Sequence, residues 1–144
     1  MGEQRGVFPL SESPHETAER LAGDRGYKYP EWEYLAERDP VFLDAYNRLS
    51  GLGLLHAGVP TEGKQLPAKY RELVAIAAMI GQSRMWGVKA HMERALAVGC
   101  TEQEILEALE AALIPVGSPP FRHAVGLLME VTGWRPASER KNGG

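Results

Sequence analysis

The stretch PAKYRELVAIAAMIGQSRMWGVKAHMERALAV, running from Pro67 to Val98, decides how this chain folds. Its first half puts Tyr70, Leu73, Val74, Ala77 and Met79 or Ile80 at helical spacing behind a proline suited to a first helical turn. Its second half, Arg84 to Val98, reads as another helix, with Gly81, Gln82 and Ser83 as the corner. A connection this short makes the two helices antiparallel neighbours. Glu72 stands ten residues before Gln82 and His91 nine after it, so at a rise of about 1.5 Å per residue each lies about 14 to 15 Å from the turn. The two can face each other, and a carboxylate beside an imidazole is a proton-transfer unit in which the carboxylate fixes the tautomer and stabilises the imidazolium.

The segments on either side repeat the helical pattern. Ser13-Pro14-His15-Glu16 fits a capping box with proline at the first helical position, and Gly23 is expected to stop that helix. Pro30 starts a short helix through Trp32 and Leu35. Asp39-Pro40 starts a third, with Val41, Phe42, Ala45, Tyr46 and Leu49 as its apolar positions and Gly51 and Gly53 at its end. A loop follows from Leu54 to Leu66. Beyond the hairpin, Thr101 to Glu104 forms a second capping box, with Cys100 and Ile105 as its hydrophobic staple, and an amphipathic helix runs to Leu113. Ser118 is read as the cap of a last helix that begins at Pro119 and reaches about Val131, after which Gly133 and Pro136 end the order. No segment alternates as a strand would and no internal repeat is present, so the chain reads as all-α, with about six or seven helices around the hairpin. The expected division is an N-terminal arm over 1–29, a helical domain over 30–135 and a disordered tail over 136–144.

Composition narrows the function classes. The 144 residues are 44% hydrophobic and 24% charged, which suits a compact domain with an ordinary core. A net charge of −3 argues against nucleic acid as a partner, because such proteins present a basic stripe. No secretory or membrane-spanning segment is evident, so no membrane partner is expected and the expected location is cytoplasmic. Cys100 is the single cysteine, which excludes an internal disulfide and any cysteine-rich metal site.

Arg71-Glu72-Leu73, His91, the run Ala97-Val98-Gly99-Cys100-Thr101 before Glu104-Ile105, and Gly117-Ser118-Pro119 together resemble the carboxymuconolactone decarboxylase family, which includes the alkylhydroperoxidase D proteins. The resemblance covers nearly half the chain. Its most specific element is the Glu72 to His91 spacing followed by the Gly-x-Thr-x-x-Glu-Ile helix start. The peroxidase branch of that family carries a Cys-x-x-Cys pair ahead of the histidine. The corresponding positions here are Arg84 and Gly87, so a dithiol peroxidase is not expected.

What remains resembles the decarboxylase side, which implies a lyase or isomerase acting on a small carboxylated, ring-derived metabolite of aromatic-compound breakdown, with no metal or organic cofactor. In that reading His91 and Glu72 are catalytic, and Arg84, seven residues before His91 and so about two helical turns away on the same face, orients a substrate carboxylate. Gly87 would leave open space for a ligand, with Trp86 as a wall of it and His123 as a further acid or base. A carboxylate and two-imidazole metal set of Glu72, His91 and His123 lacks any local HExxH-type spacing. The resemblance also implies a homotrimer or homohexamer. Two alternatives stay open: an antioxidant peroxidase or disulfide reductase working through Cys100 and an outside thiol, and a non-catalytic oligomeric binding or scaffold protein that keeps the pair as a buried strut.

Overall fold

The computed structural model describes residues 12–140, and Met1 to Ser11 and Lys141 to Gly144 lie outside the described residues. The chain divides after Pro67 into two compact units. Every regular element among the described residues is helical.

Three helices build the first unit: α1 (Pro14–Arg25), α2 (Pro30–Arg38) and α3 (Pro40–Leu54), each opened by the proline that the sequence marks. The Ser13 hydroxyl accepts from the Glu16 N–H at 3.2 Å and the Glu16 carboxylate accepts from the Ser13 N–H at 2.7 Å, so the capping box forms. Gly23 does not stop α1. The helix runs on to Gly26, whose φ of 80° supplies the left-handed cap that Gly23 was expected to provide. Gly51 and Gly53 likewise sit inside α3, which ends where Leu55 turns left-handed at φ 53°.

The expected apolar face of α3 is also revised. Val41, Phe42, Tyr46 and Leu49 are exposed, while Leu43, Asp44 and Gly51 are buried. The core they leave is Ala18, Leu21, Trp32, Ala36 and Leu43. Beside it lies Arg25, sealed at 2% exposure. Its guanidinium donates to Asn47 Oδ1 at 2.9 Å and to the Tyr27 hydroxyl at 3.2 Å, and its carbon lies 4.6 Å from the Trp32 ring centroid. Neutral acceptors and aromatic faces thus stand in for a counter-ion. Within this unit α1 packs on α2 and α3.

The second unit holds α4 (Ala68–Gly81), α5 (Val88–Ala97), α6 (Glu102–Val116), α7 (Ser118–Thr132) and the short α8 (Ala137–Arg140). The last lies in the expected tail, of which 141–144 are outside the described residues. On α4 the sealed stripe is Glu72, Ile76 and Ile80, four residues apart, flanked by half-buried Leu73 and Ala77, whereas Tyr70 and Val74 are exposed. That stripe packs with Val88, Met92 and Ala95 of α5, Ile105 and Leu109 of α6, and Ala124 and Leu128 of α7 into one core. Thr101 and Glu104 form the second capping box, and Cys100 and Ile105 are both buried in the core, as a staple requires. Pro115 falls in the final turn of α6 without ending it at Leu113, and Ser118 is the first residue of α7, whose cap position is Gly117 at φ 88°.

Candidate active site

Glu72 and His91 meet across the α4–α5 hairpin. Glu72 lies four residues, one helical turn, before Ile76 on the sealed stripe, which points the carboxylate into the core, and His91 stands one turn into α5. His91 Nδ1 lies 2.7 Å from Glu72 Oε2. An ionised carboxylate only accepts, so Nδ1 carries the proton and Nε2 is the nitrogen turned away from Glu72. The Glu72 side chain is fully buried and that of His91 is 15% exposed, so the pair reaches solvent at the imidazole.

A third group belongs to the site and was not foreseen. Arg94, three residues after His91 on the same face of α5, places Nε 3.7 Å from Glu72 Oε1, with its side chain 9% exposed. That distance is an ion pair and too long for a hydrogen bond. The i, i+3 spacing of His91 and Arg94 was visible in the sequence, but an arginine in a mixed polar run ordinarily reads as solvated surface.

The expected substrate contacts fare differently. The second arm does not start as an α-helix at Arg84: a 3-10 turn, Met85–Gly87, precedes α5, with Arg84 exposed at its head. The tighter winding breaks the seven-residue register that was to put Arg84 on the face of His91. Gly87 leaves no open space, because a Cβ there would meet Met79 Sδ at 3.2 Å. Trp86 is 79% exposed. His123 is exposed on α7. Among the described residues no three His, Cys, Asp or Glu side chains are grouped so as to hold a metal ion.

Cys100 is buried, and its thiol lies 3.5 Å from the Lys69 carbonyl oxygen. Burial pushes the thiol up from its ordinary value, with the Glu104 and Glu72 carboxylates adding to the effect against the opposing Lys69. It has the features of a structural cysteine and lacks those of a nucleophile.

A model of the carboxymuconolactone decarboxylase family matches residues 40–130. The chain belongs to this family. The match takes in the whole hairpin and both members of the pair. A crystal structure of a protein from Burkholderia xenovorans LB400, assigned as a carboxymuconolactone decarboxylase, is similar to it at 25% identity with a TM-score of 0.62, over 85% of this chain and 96% of that one. No curated protein matches the chain. Among the described residues no helix is long and apolar enough to cross a membrane.

Proposed function

We propose that this family member is a cofactor-independent lyase or isomerase acting on a small carboxylated, ring-derived metabolite, with His91 as general acid/base and Glu72 as its partner. The observation that carries the reading is the 2.7 Å contact between Glu72 Oε2 and His91 Nδ1, which orients the ring and offsets charge as it gains a proton. Arg84 is proposed as the carboxylate contact, being an exposed guanidinium at the entry to the arm that carries His91. The reading includes a cytoplasmic location and assembly as a homotrimer or homohexamer. Val74, Trp86 and Ile114, which are 61%, 79% and 90% exposed, support association.

The test is turnover of small unsaturated lactone and enone carboxylates, followed by ultraviolet absorbance and carbon dioxide release. His91→Ala is expected to lose about 10² to 10⁴ of the wild-type rate, and Arg84→Gln to raise KM with kcat little changed. A wild type and a His91→Ala variant that turn over a substrate equally well would end the acid/base reading.

The complete burial of Glu72 favours a second reading, in which the pair is a strut inside a non-catalytic oligomeric scaffold. An antioxidant role through Cys100 finds no support in a buried thiol with a raised pKa.

A further inference from the structure

α3 carries apolar side chains on two sides, and its own unit covers one of them. Leu43, Asp44 and Gly51 turn inward, and Leu43 joins the core made with α1 and α2. On the other side Phe42, Ala45, Leu49 and Leu52 are exposed, Leu49 at 74%. Their spacing of three, four and three residues is the repeat by which one helix packs along another. Val41 and Tyr46, also exposed, flank this seam. A contiguous apolar strip of this length marks an interaction surface.

The chemistry of the strip selects what it meets. The one exposed charged residue of α3 is Arg48, and its Nε lies 2.9 Å from Asp44 Oδ2 on the same helix. The helix therefore offers little charge to steer an acidic or basic partner, and it lacks the lysines and arginines by which a helix lying on a membrane holds lipid headgroups. The pattern does match itself. Phe42 and Leu52 stand five residues on either side of Asn47, and Ala45 and Leu49 stand two on either side. Two copies of α3 running antiparallel about a two-fold axis at the height of Asn47 would set Phe42 against Leu52 of the second copy and Ala45 against its Leu49. Each pair matches a larger side chain with a smaller one, and the alanines let the helices approach to about 8 Å.

We propose that this face of α3 is a self-docking surface, on which a second copy of the chain seats its own α3 antiparallel about a two-fold axis. The helix is already held by its unit, so docking carries no cost of forming it. Two such strips bury on the order of 1,000 Å² together, the small end of specific interfaces, so the contact is weak alone and gains from any second interface in the same assembly. A two-fold contact joins copies in pairs, turning a monomer into a dimer and a trimer into a hexamer. Taken with the assembly proposed above, on which this last step rests, it selects the homohexamer over the homotrimer.

The test is sedimentation equilibrium of the full chain at up to about 1 mM, where even a weak contact of this kind is populated. The wild type is expected to contain an even number of copies. Leu49→Lys is expected to halve the mass, because it brings two ammonium groups into the apolar seam near the axis. Ala45→Glu, at a different position of the seam, is expected to do the same and decides the matter if Leu49→Lys does not fold. The double variant Ala45→Glu with Leu49→Lys is expected to regain the wild-type mass, since the antiparallel register sets each new carboxylate against a new ammonium of the second copy. A monomeric or trimeric wild type, which leaves the face to another part of the chain or to a different partner, would overturn the proposal. So would a folded single variant that keeps the wild-type mass, or a double variant that stays at half of it. A trimer ends the docking and leaves the proposed assembly standing, whereas a dimer supports the docking and ends that assembly, so the two failures are distinguishable.

Discussion

His91 Nδ1 meets Glu72 Oε2 at 2.7 Å from the opposite arm of the hairpin, and the far carboxylate oxygen faces Arg94 Nε at 3.7 Å. Removing one member of a buried charged set leaves the others uncompensated. Glu72→Ala should therefore cost about 3 to 5 kcal/mol by urea unfolding, since it removes the buried carboxylate that His91 and Arg94 both face. His91→Ala should cost less, about 1 to 3 kcal/mol, the penalty of an acceptor left without its donor. The double variant Glu72→Leu with Arg94→Met should recover part of the loss, because it removes both charges together. A Glu72→Ala protein within about 0.5 kcal/mol of the wild type would mean that the carboxylate is not ionised in its buried position.

The placement of Cys100 makes a second prediction about reactivity. Its thiol is sealed in the staple beside Ile105 and raised by burial, so the thiolate population at neutral pH is small. Iodoacetamide at pH 8 should label the native protein far more slowly than the urea-unfolded chain. Cys100→Ala should leave any turnover by the His91 pair unchanged. Labelling of the native protein as fast as of a free thiol would reopen a redox role for this residue.

The hairpin and its pair were legible in the sequence because two regular patterns flank a three-residue corner, and rise alone sets Glu72 and His91 at one height. Both capping boxes were equally legible, since their side chains act within three residues of the backbone they cap. What could not be read depended on contacts made at a distance. Arg94 looks like any surface arginine until α4 supplies Glu72 opposite it. Gly87 reads as empty space only until Met79 of the other arm fills it. The apolar face of α3 was misassigned because its periodicity fits two adjacent faces, and the packing of α1 and α2 selects the one that carries Leu43. Gly23, Gly51 and Gly53 failed as stop signals because glycine inside a helix costs only about 1 kcal/mol, which packing overrides.

Lys69 and Glu104 tie the first turn of α4 to the start of α6 at 2.9 Å and shape the pH dependence of the second unit. The Lys69 hydrogen bond, followed by the Thr101 N–H, holds the Glu104 carboxyl below its ordinary 4.5, and the Glu104 carboxylate raises Lys69 above its ordinary 10.5. For Glu104 the folded value is the lower one, so its contribution is complete above pH 4.5 and is lost as the pH falls through the folded value. For Lys69 the folded value is the higher one, so its contribution is complete below pH 10.5 and is lost as the pH rises through the folded value. The stability difference between wild type and Lys69→Met, measured by urea unfolding across pH, should accordingly be flat between these limits and shrink beyond both. It should also shrink in high salt, because both side chains are partly exposed. A difference that stays constant down to pH 2 would show that the pair does not form.

Gly87 closes the second arm against the first, and its backbone at φ −95° and ψ −13° is open to any L-residue. The constraint is therefore space alone. A Cβ at this position would stand 3.2 Å from Met79 Sδ, which is part of a flexible side chain able to give by a few tenths of an ångström. Gly87→Ala should then change stability by no more than about 1 kcal/mol, with the lower chain entropy of the unfolded alanine variant offsetting the crowding. Gly87→Val adds two further carbons against Met79 and should cost about 1 to 3 kcal/mol, and pairing it with Met79→Ala should return most of that loss. If the valine variant is as stable as wild type, the space beside Gly87 is open after all, and the hairpin there can admit a small ligand.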